Sequence, residues 1–240
     1  YKALTKTVVH FGAGNVGRGF IAPLLQENGY NVIFVDSSSD LVEKINNQKE
    51  YKVTSYDSES TRDKLVGKTR ALHTEQDKEL KEILNRASLV TSSVGPNNLG
   101  IIANLLDKNI EEKVDFIAFE NMYRASTYVL EQKDSLRLKI QEHDVVVDKI
   151  IPLQNIENLN LIVESFGSIV FDQEQYTDKL IELSEVVSKG DYEKEFTKKL
   201  WLLNGLHVCL AYYGLSKSVE YIYELYEQKD HEEFIEKINS

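Results

Sequence analysis

Lys199, Asn204 and His207 form a K-x4-N-x2-H pattern where the chain enters a strongly apolar run, Leu200 to Tyr213. On a helix turning about 100° per residue they fall within an arc of roughly 140°, so one ligand could meet all three. Taking a hydride from an alcohol requires an acceptor for the hydroxyl proton and donors that hold the developing alkoxide. A desolvated lysine has its pKa lowered toward neutrality and can serve as acid and base. Asn204 would give its amide to the oxygen, Asn121 would bring a second amide from an earlier part of the chain, and His207 would orient a neighbouring hydroxyl. This chemistry needs no zinc, and no metal site is expected. The plainer alternative stays open: a lysine near a helix start usually faces solvent, and a buried histidine is more often a satisfied core residue.

The second group with chemical potential is the stretch Thr7 to Phe20, TVVHFGAGNVGRGF. Gly12, Gly14 and Gly17 stand in G-x-G-x-x-G spacing: one for a tight turn, one for close approach of backbone to a pyrophosphate, one for packing of helix on strand. Phe11, Gly12, Ala13, Gly14, Asn15, Val16 and Gly17 are therefore the expected cofactor turn, with free amides at the helix start facing the anion. Val8, Val9 and Phe11 supply the strand before it, and Phe20, Ile21, Leu24 and Leu25 recur at helical spacing behind it. A second strand, Asn31 to Val35, leads into Asp36. A carboxylate about 20 residues beyond the glycines can accept both ribose hydroxyls and repels a 2′-phosphate, which favours NAD over NADP. The competing role for Asp36 is a cap or turn before Ser37 to Ser39.

The elements that would position these groups alternate as an α/β protein should. Helices are expected at Ser39 to Asn47, Asp77 to Asn85, Asn98 to Leu106 and from Tyr123 to about Gln141, with short strands around Tyr51 to Thr54. Ser88 to Val94 and Val114 to Phe119 are continuous apolar runs suited to strands buried on both faces of a parallel sheet. Each ends in turn-forming residues, Ser93 to Asn98 and Glu120 to Met122, and ligands of such sheets sit beyond the carboxyl ends of strands. Gly95, Pro96 and Asn121 should thus flank the nicotinamide; for Gly95 and Pro96, simple turn chemistry before a helix capped by Asn97 is the alternative. Val145 to Ile151 and Leu161 to Phe171 read as further strands, each carrying a carboxylate, Asp148 and Glu164, that is costly to bury unless paired and otherwise marks an exposed edge. From Tyr192 the pattern is helical. Leu200 to Tyr213, apolar on all sides except at Asn204 and His207, predicts a helix buried on most of its surface, with partners for both polar groups.

The sum is a Rossmann-type, mostly parallel α/β domain over residues 1–190 and the start of a helical substrate domain over residues 191–240. A net charge of -11 argues against nucleic acid or an anionic membrane as partner. The single cysteine, Cys209, rules out an intrachain disulfide and a cysteine-based metal site and fits a cytoplasmic location. No apolar run has the length of a membrane span, and the first residues lack the order of a signal peptide. Nothing in the sequence speaks to oligomeric state.

HFGAGNVGRGF, the aspartate of FVDS, VGPNNL, FENM, VDKIIP, VESF and KLWLLNGLHVCLAYYG occur together and in this order. In that ordered set, and over nearly its whole length, the chain resembles the polyol-specific long-chain dehydrogenases. The resemblance implies an NAD-binding Rossmann domain, a helical substrate domain and metal-independent interconversion of mannitol 1-phosphate and fructose 6-phosphate. It implies Lys199 as acid/base, Asn121 and Asn204 as the pair holding the reacting oxygen, and His207 as a substrate-hydroxyl contact. It also implies Gly12, Gly14, Gly17 and Asp36 as cofactor residues, and Asp148 as a weaker substrate-pocket candidate. Arg18 and Arg124 are candidate cations for the substrate phosphate, the alternatives for both being a solvated side chain or a contact with the cofactor. Two departures are conservative of polar groups: Phe119 where members carry cysteine, and NGLH at Asn204 to His207 where they carry NTGH. Family chains also continue well beyond the position of Ser240, so the chain is expected to be either truncated, in which case its substrate site is incomplete, or a shortened relative. The rivals are a free-mannitol 2-dehydrogenase or hexuronate reductase of the same family, and a catalytically silent NAD-binding protein with no need of Lys199.

Overall fold

The computed structural model describes residues 6–57, 60–149, 151, 154 and 158–216, leaving aside the side chains of 202, 203, 206 and 207. In chain order the strands are β1 (Lys6–Phe11), β2 (Tyr30–Asp36), β3 (Tyr51–Tyr56), β4 (Thr61–Val66), β5 (Arg70–His73), β6 (Leu89–Ser92), β7 (Val114–Ala118), β8 (Ile140–Glu142), β9 (Val145–Asp148), β10 (Leu161–Glu164), β11 (Ser168–Asp172) and β12 (Val187–Gly190). The α-helices are α1 (Ala22–Glu27), α2 (Ser39–Gln48), α3 (Asp77–Arg86), α4 (Leu99–Asn109), α5 (Ala125–Glu131), α6 (Tyr192–Lys198) and α7 (Leu206–Ser216). π-helical segments precede α1, at Gly17–Ile21, and α7, at Lys199–Gly205.

Six strands form one sheet in the order β5-β2-β1-β6-β7-β8, and every pairing in it is parallel. From β1 the order runs outward through β2 and β5 on one side and through β6, β7 and β8 on the other, so the strand order reverses between β1 and β6, the place where an open α/β sheet leaves a crevice. Alternate residues feed two cores. Val8, Val32, Phe34 and Ile117 pack on one face with α1 and the smaller sheets, and Val9, Ile33, Val35 and Phe116 pack on the other with α3, α4 and α5. This two-sided burial is why the parallel strands carry unbroken apolar runs. The expected α/β Rossmann-type fold is the fold observed.

Three local expectations need correction. The stretch after Tyr123 is not one long helix: α5 stops at Glu131, a 3-10 turn covers Asp134–Leu138, and Ile140–Glu142 is the sheet's edge strand. Leu161 to Phe171 is two strands in two different sheets, β10 beside β3 and β11 between β9 and β12. Glu164 is exposed on β10, in line with the edge-strand reading of that carboxylate. The third correction concerns the helix at Leu200 to Tyr213. Trp201 and Tyr212 are each 72% exposed and Val208 is 54% exposed, so the segment is not buried on most sides. Hydropathy records that a surface is apolar, not that something covers it.

The chain divides into two compact units after Tyr192. The second, from Glu193, is helical through Ser216 among the described residues. No helix among the described residues is long and apolar enough to cross a membrane.

Candidate functional site

The glycine turn is shaped by what its neighbours leave room for. Gly12 has φ +97°, and a Cβ there would lie 2.5 Å from the Ser93 carbonyl oxygen. At Gly17 a Cβ would meet the Gly12 carbonyl oxygen at 2.2 Å and His10 Nε2 at 2.9 Å, so only glycine lets the helix start press against the turn. Gly14 differs: a Cβ there would have nothing within 4 Å. Its openness leaves the backbone accessible to a ligand. Asn15 and Val16 begin the helix, half-buried, and Arg18 N donates to Gly14 O at 3.0 Å. The amides just before it point out of the helix end.

Asp36 ends β2 beside this turn. Its Oδ2 accepts from Ala13 N at 2.7 Å and its Oδ1 from Ser38 N at 2.9 Å, so the carboxylate is both oriented and joined to the turn. Each oxygen keeps acceptor capacity for a ribose hydroxyl. The cap of α2 is Ser38, whose hydroxyl accepts from Leu41 N, so capping does not occupy Asp36. Phe11, Gly12, Gly14, Asp36, Ser93 and Asn98 line a cleft of about 470 Å³ with apolar walls from Ile101, Ile102 and Leu105 on α4. Open backbone at Gly14, a fixed carboxylate and an apolar wall together fit an adenine dinucleotide.

Two buried groups missed by sequence reading hold the cleft together. His10 is fully buried, with Nδ1 2.7 Å from Thr91 Oγ1 and Nε2 2.8 Å from Ser93 Oγ. Burial holds its pKa down to about 3. Glu120, 5% exposed, accepts from Val94 N at 2.7 Å and from Gly95 N at 2.9 Å, one bond to each carboxylate oxygen. Burial pushes its carboxyl above the ordinary value, while the bonds from Val94, Gly95 and Ser92 act against that rise. The acidic residue preceding Asn121 was the only sequence signal for this contact.

The remaining candidates are dispersed. Gly95, at φ +87°, and exposed Pro96 form the loop after β6; the helix there is capped at Asn98 rather than Asn97, and Asn98 Nδ2 donates to Val94 O at 2.7 Å. Asn121 is exposed in the bend after β7. Arg124 has φ +44° and pairs with Asp144 at 3.3 Å and Asp172 at 3.1 Å, its guanidinium 4.5 Å from the Tyr192 ring centroid. Arg18 is 1% exposed and donates to the Ala13 and Leu159 carbonyls at 2.7 and 2.6 Å, so it braces the turn from inside and does not face a ligand. Asp148 closes β9, opposite Ser168 of β11, in the third sheet.

In the second unit Lys199 and Asn204 are half-buried on the π-helical segment, and His207 falls in α7 with its side chain outside the described residues. The 140° arc assumed α geometry. A π turn closes i to i+5, which is the separation of Lys199 and Asn204, and such segments are frequent at functional sites.

The pattern of the mannitol dehydrogenase Rossmann domain matches residues 6–185. The chain belongs to the mannitol dehydrogenase family. Among relatives in this family, a mannitol-1-phosphate 5-dehydrogenase of Thermoanaerobacter pseudethanolicus is 35% identical over 236 residues, covering 90% of this chain and 60% of its own. One of the same name from Mycoplasmopsis pulmonis is 33% identical over 228 residues, covering 93% of this chain and 59% of its own. The chain thus spans about three fifths of the length of these curated relatives. The structure of a 2-dehydropantoate 2-reductase from Geobacter metallireducens GS-15 aligns with TM-score 0.58 at 16% identity, over 85% of this chain and 65% of that one. At that identity the likeness is one of fold.

Proposed function

We propose that this member of the mannitol dehydrogenase family is the NAD-binding part, with the beginning of the substrate domain, of a cytoplasmic mannitol-1-phosphate 5-dehydrogenase that interconverts mannitol 1-phosphate and fructose 6-phosphate. The observation that carries the reading is the pairing of an open Gly14 with Asp36, whose carboxylate is held by Ala13 N 2.7 Å away at the end of β2. Phe11 to Gly17 and Asp36 would hold the adenosine and pyrophosphate of NAD, with Gly95 and Pro96 on the nicotinamide side. NAD supplies the hydride-accepting ring. Asp36 selects NAD over NADP by placing negative charge where a 2′-phosphate would go.

In this reading Lys199 takes the hydroxyl proton as the alcohol is oxidised and returns it in reduction. Asn121 and Asn204 donate to the reacting oxygen, and His207 orients an adjacent hydroxyl. A lysine in this role makes a metal ion unnecessary. Asp148 and Arg124 are the substrate-side candidates; at Arg124 an incoming phosphate would share the guanidinium with Asp144 and Asp172. The names of the relatives support the choice of a phosphorylated polyol.

The test is NADH oxidation with fructose 6-phosphate for this chain and for Lys199→Ala. The expected outcome is a rate that falls by a factor of about 100 or more in the variant, the scale of a lost general acid. Equal rates would remove Lys199 from the chemistry. Unphosphorylated fructose reacting as well as the phosphate ester would favour a free-polyol dehydrogenase. Binding of NADH with turnover in neither protein would favour a silent dinucleotide-binding chain.

A further inference from the structure

We infer that Glu120 is a positioning residue for the nicotinamide half of the dinucleotide, acting through the loop that follows β6. The inference rests on the NAD reading given above and extends it to a residue for which neither the glycine pattern nor the Lys199 pattern has a role.

The argument begins with the order of strand ends. Asp36 closes β2 on one side of β1, the glycine turn follows β1 itself, and β6 and β7 lie on the other side. A dinucleotide with one ribose at Asp36 and its pyrophosphate on the turn must carry its second nucleoside toward the ends of β6 and β7. The loop at Ser93 to Asn98 and the bend at Glu120 to Arg124 occupy that ground.

Ser93 N bonds to Phe11 O at 2.8 Å and Asn98 N to Gly95 O at 3.0 Å, but the Val94 and Gly95 amides between them are held by one carboxylate. Val94 N and Gly95 N are successive amides, and both point at Glu120, one to each oxygen. Gly95 keeps φ +87° and ψ 146°, a conformation open to glycine and strained for other residues. On its far side the loop is closed by Asn98 Nδ2 bonding back to Val94 O at 2.7 Å. The Ser93 carbonyl, just before the tied amides, is the group that would lie 2.5 Å from a Cβ at Gly12. Ser93 itself is anchored by its N–H to Phe11 O at 2.8 Å, so a shift of the loop beyond it would be felt at the bend carrying Asn121, the next residue after Glu120, and not at the phosphate turn.

Placing a carboxylate at 5% exposure to hold two amides is costly, and a glutamine cannot substitute. Its amide offers one acceptor oxygen, and its NH₂ group would confront the second backbone N–H. The two loops would part at one bond while the fold around them keeps its cores.

The experiment compares binding of NADH and of ADP-ribose, which lacks nicotinamide, to this chain and to Glu120→Gln, with the unfolding midpoint of each. The expected result is NADH binding weakened about tenfold, the effect of about 1.4 kcal/mol, with ADP-ribose binding unchanged. Unchanged binding of both ligands would overturn the inference. So would equal weakening of both, since that describes general loosening of the cleft rather than control of one half of the ligand. If Glu120→Gln does not fold, Glu120→Asp is read by the same criteria, because it keeps both acceptor oxygens and withdraws them by one methylene. Failure of the unaltered chain to bind either ligand would instead refute the NAD reading itself.

Discussion

The imidazole Nε2 of His10 lies 2.8 Å from the Ser93 hydroxyl, under the glycine turn, in a place no solvent reaches. A hydroxyl can donate or accept, so with Thr91 on the other ring nitrogen a neutral imidazole of either tautomer is satisfied. An imidazolium would be buried without a counter-charge from either partner, and burial holds the pKa down to about 3, below the unfolded value of 6.5. Between those two values the unfolded chain binds a proton that the folded chain does not. Stability from this group is therefore complete above pH 6.5 and is lost progressively as pH falls toward 3. Urea unfolding between pH 7 and pH 5 should show stability falling by up to about 1.4 kcal/mol per pH unit from this one group. His10→Gln should be less stable at pH 7 and show a shallower slope. Equal slopes in both proteins would mean that His10 is not the group titrating.

The two later glycines of the turn should fail in opposite ways. Gly17→Ala puts a methyl 2.2 Å from the Gly12 carbonyl oxygen, a backbone atom that cannot swing aside, so the helix start must move. A loss of about 1–3 kcal/mol in unfolding free energy is expected, the usual cost of overpacking. Gly14→Ala meets nothing within 4 Å and should leave stability within about 0.5 kcal/mol of the parent. Its methyl would instead fill room needed by a pyrophosphate, so NADH binding weakens while the fold holds. Thermal unfolding and NADH titration of the same two variants separate these outcomes, and a stable, tightly binding Gly14→Ala would contradict the assignment of the open face.

How far the sequence exposes this site depends on whether a role demands particular residue types. The turn at Gly12 to Gly17 and the strand end at Asp36 were readable because each needs residues with no substitutes: no side chain at one, a short carboxylate at the other. Strand β5 was not, since Arg70–His73 is four residues long and shares its alternation with any polar loop. Leu161 to Phe171 looks in sequence like one strand because period and composition do not say which sheet a strand joins, and the break at Ser165 to Gly167 falls between two apolar halves. Glu120 and His10 act on partners 26 and 83 residues away in sequence. Glu120 binds backbone amides, which every residue but proline carries, so its partners leave no mark in the sequence.

Asp36 gives a direct test of cofactor choice. Its two oxygens are fixed by Ala13 N and Ser38 N, so the charge sits in one place rather than sweeping the cleft mouth. Asp36→Ser removes the charge and the bidentate ribose acceptor together. NADH affinity should fall about tenfold while NADPH affinity rises, because the 2′-phosphate no longer meets a like charge. Paired titrations with NADH and NADPH measure the ratio. A ratio unchanged by the substitution would move the ribose away from β2.

Thr69 is a case where the sequence carries an avoidable cost. It is 3% exposed, its N–H donates to the Lys49 carbonyl at 2.9 Å, and its hydroxyl is the buried side-chain polar atom without a partner among the described residues. An unsatisfied buried hydroxyl costs about 1–3 kcal/mol, whereas its backbone bond is indifferent to the side chain. Thr69→Val keeps the shape and removes only the stranded oxygen, so the unfolding free energy should rise by about 1 kcal/mol. Thr69→Ser does the reverse, keeping the hydroxyl and deleting a buried methyl, and should lower stability by a similar amount, about 1 kcal/mol. Denaturant midpoints of the three proteins decide the matter. If valine destabilises and serine does not, the hydroxyl has a partner in solution and carries no such cost.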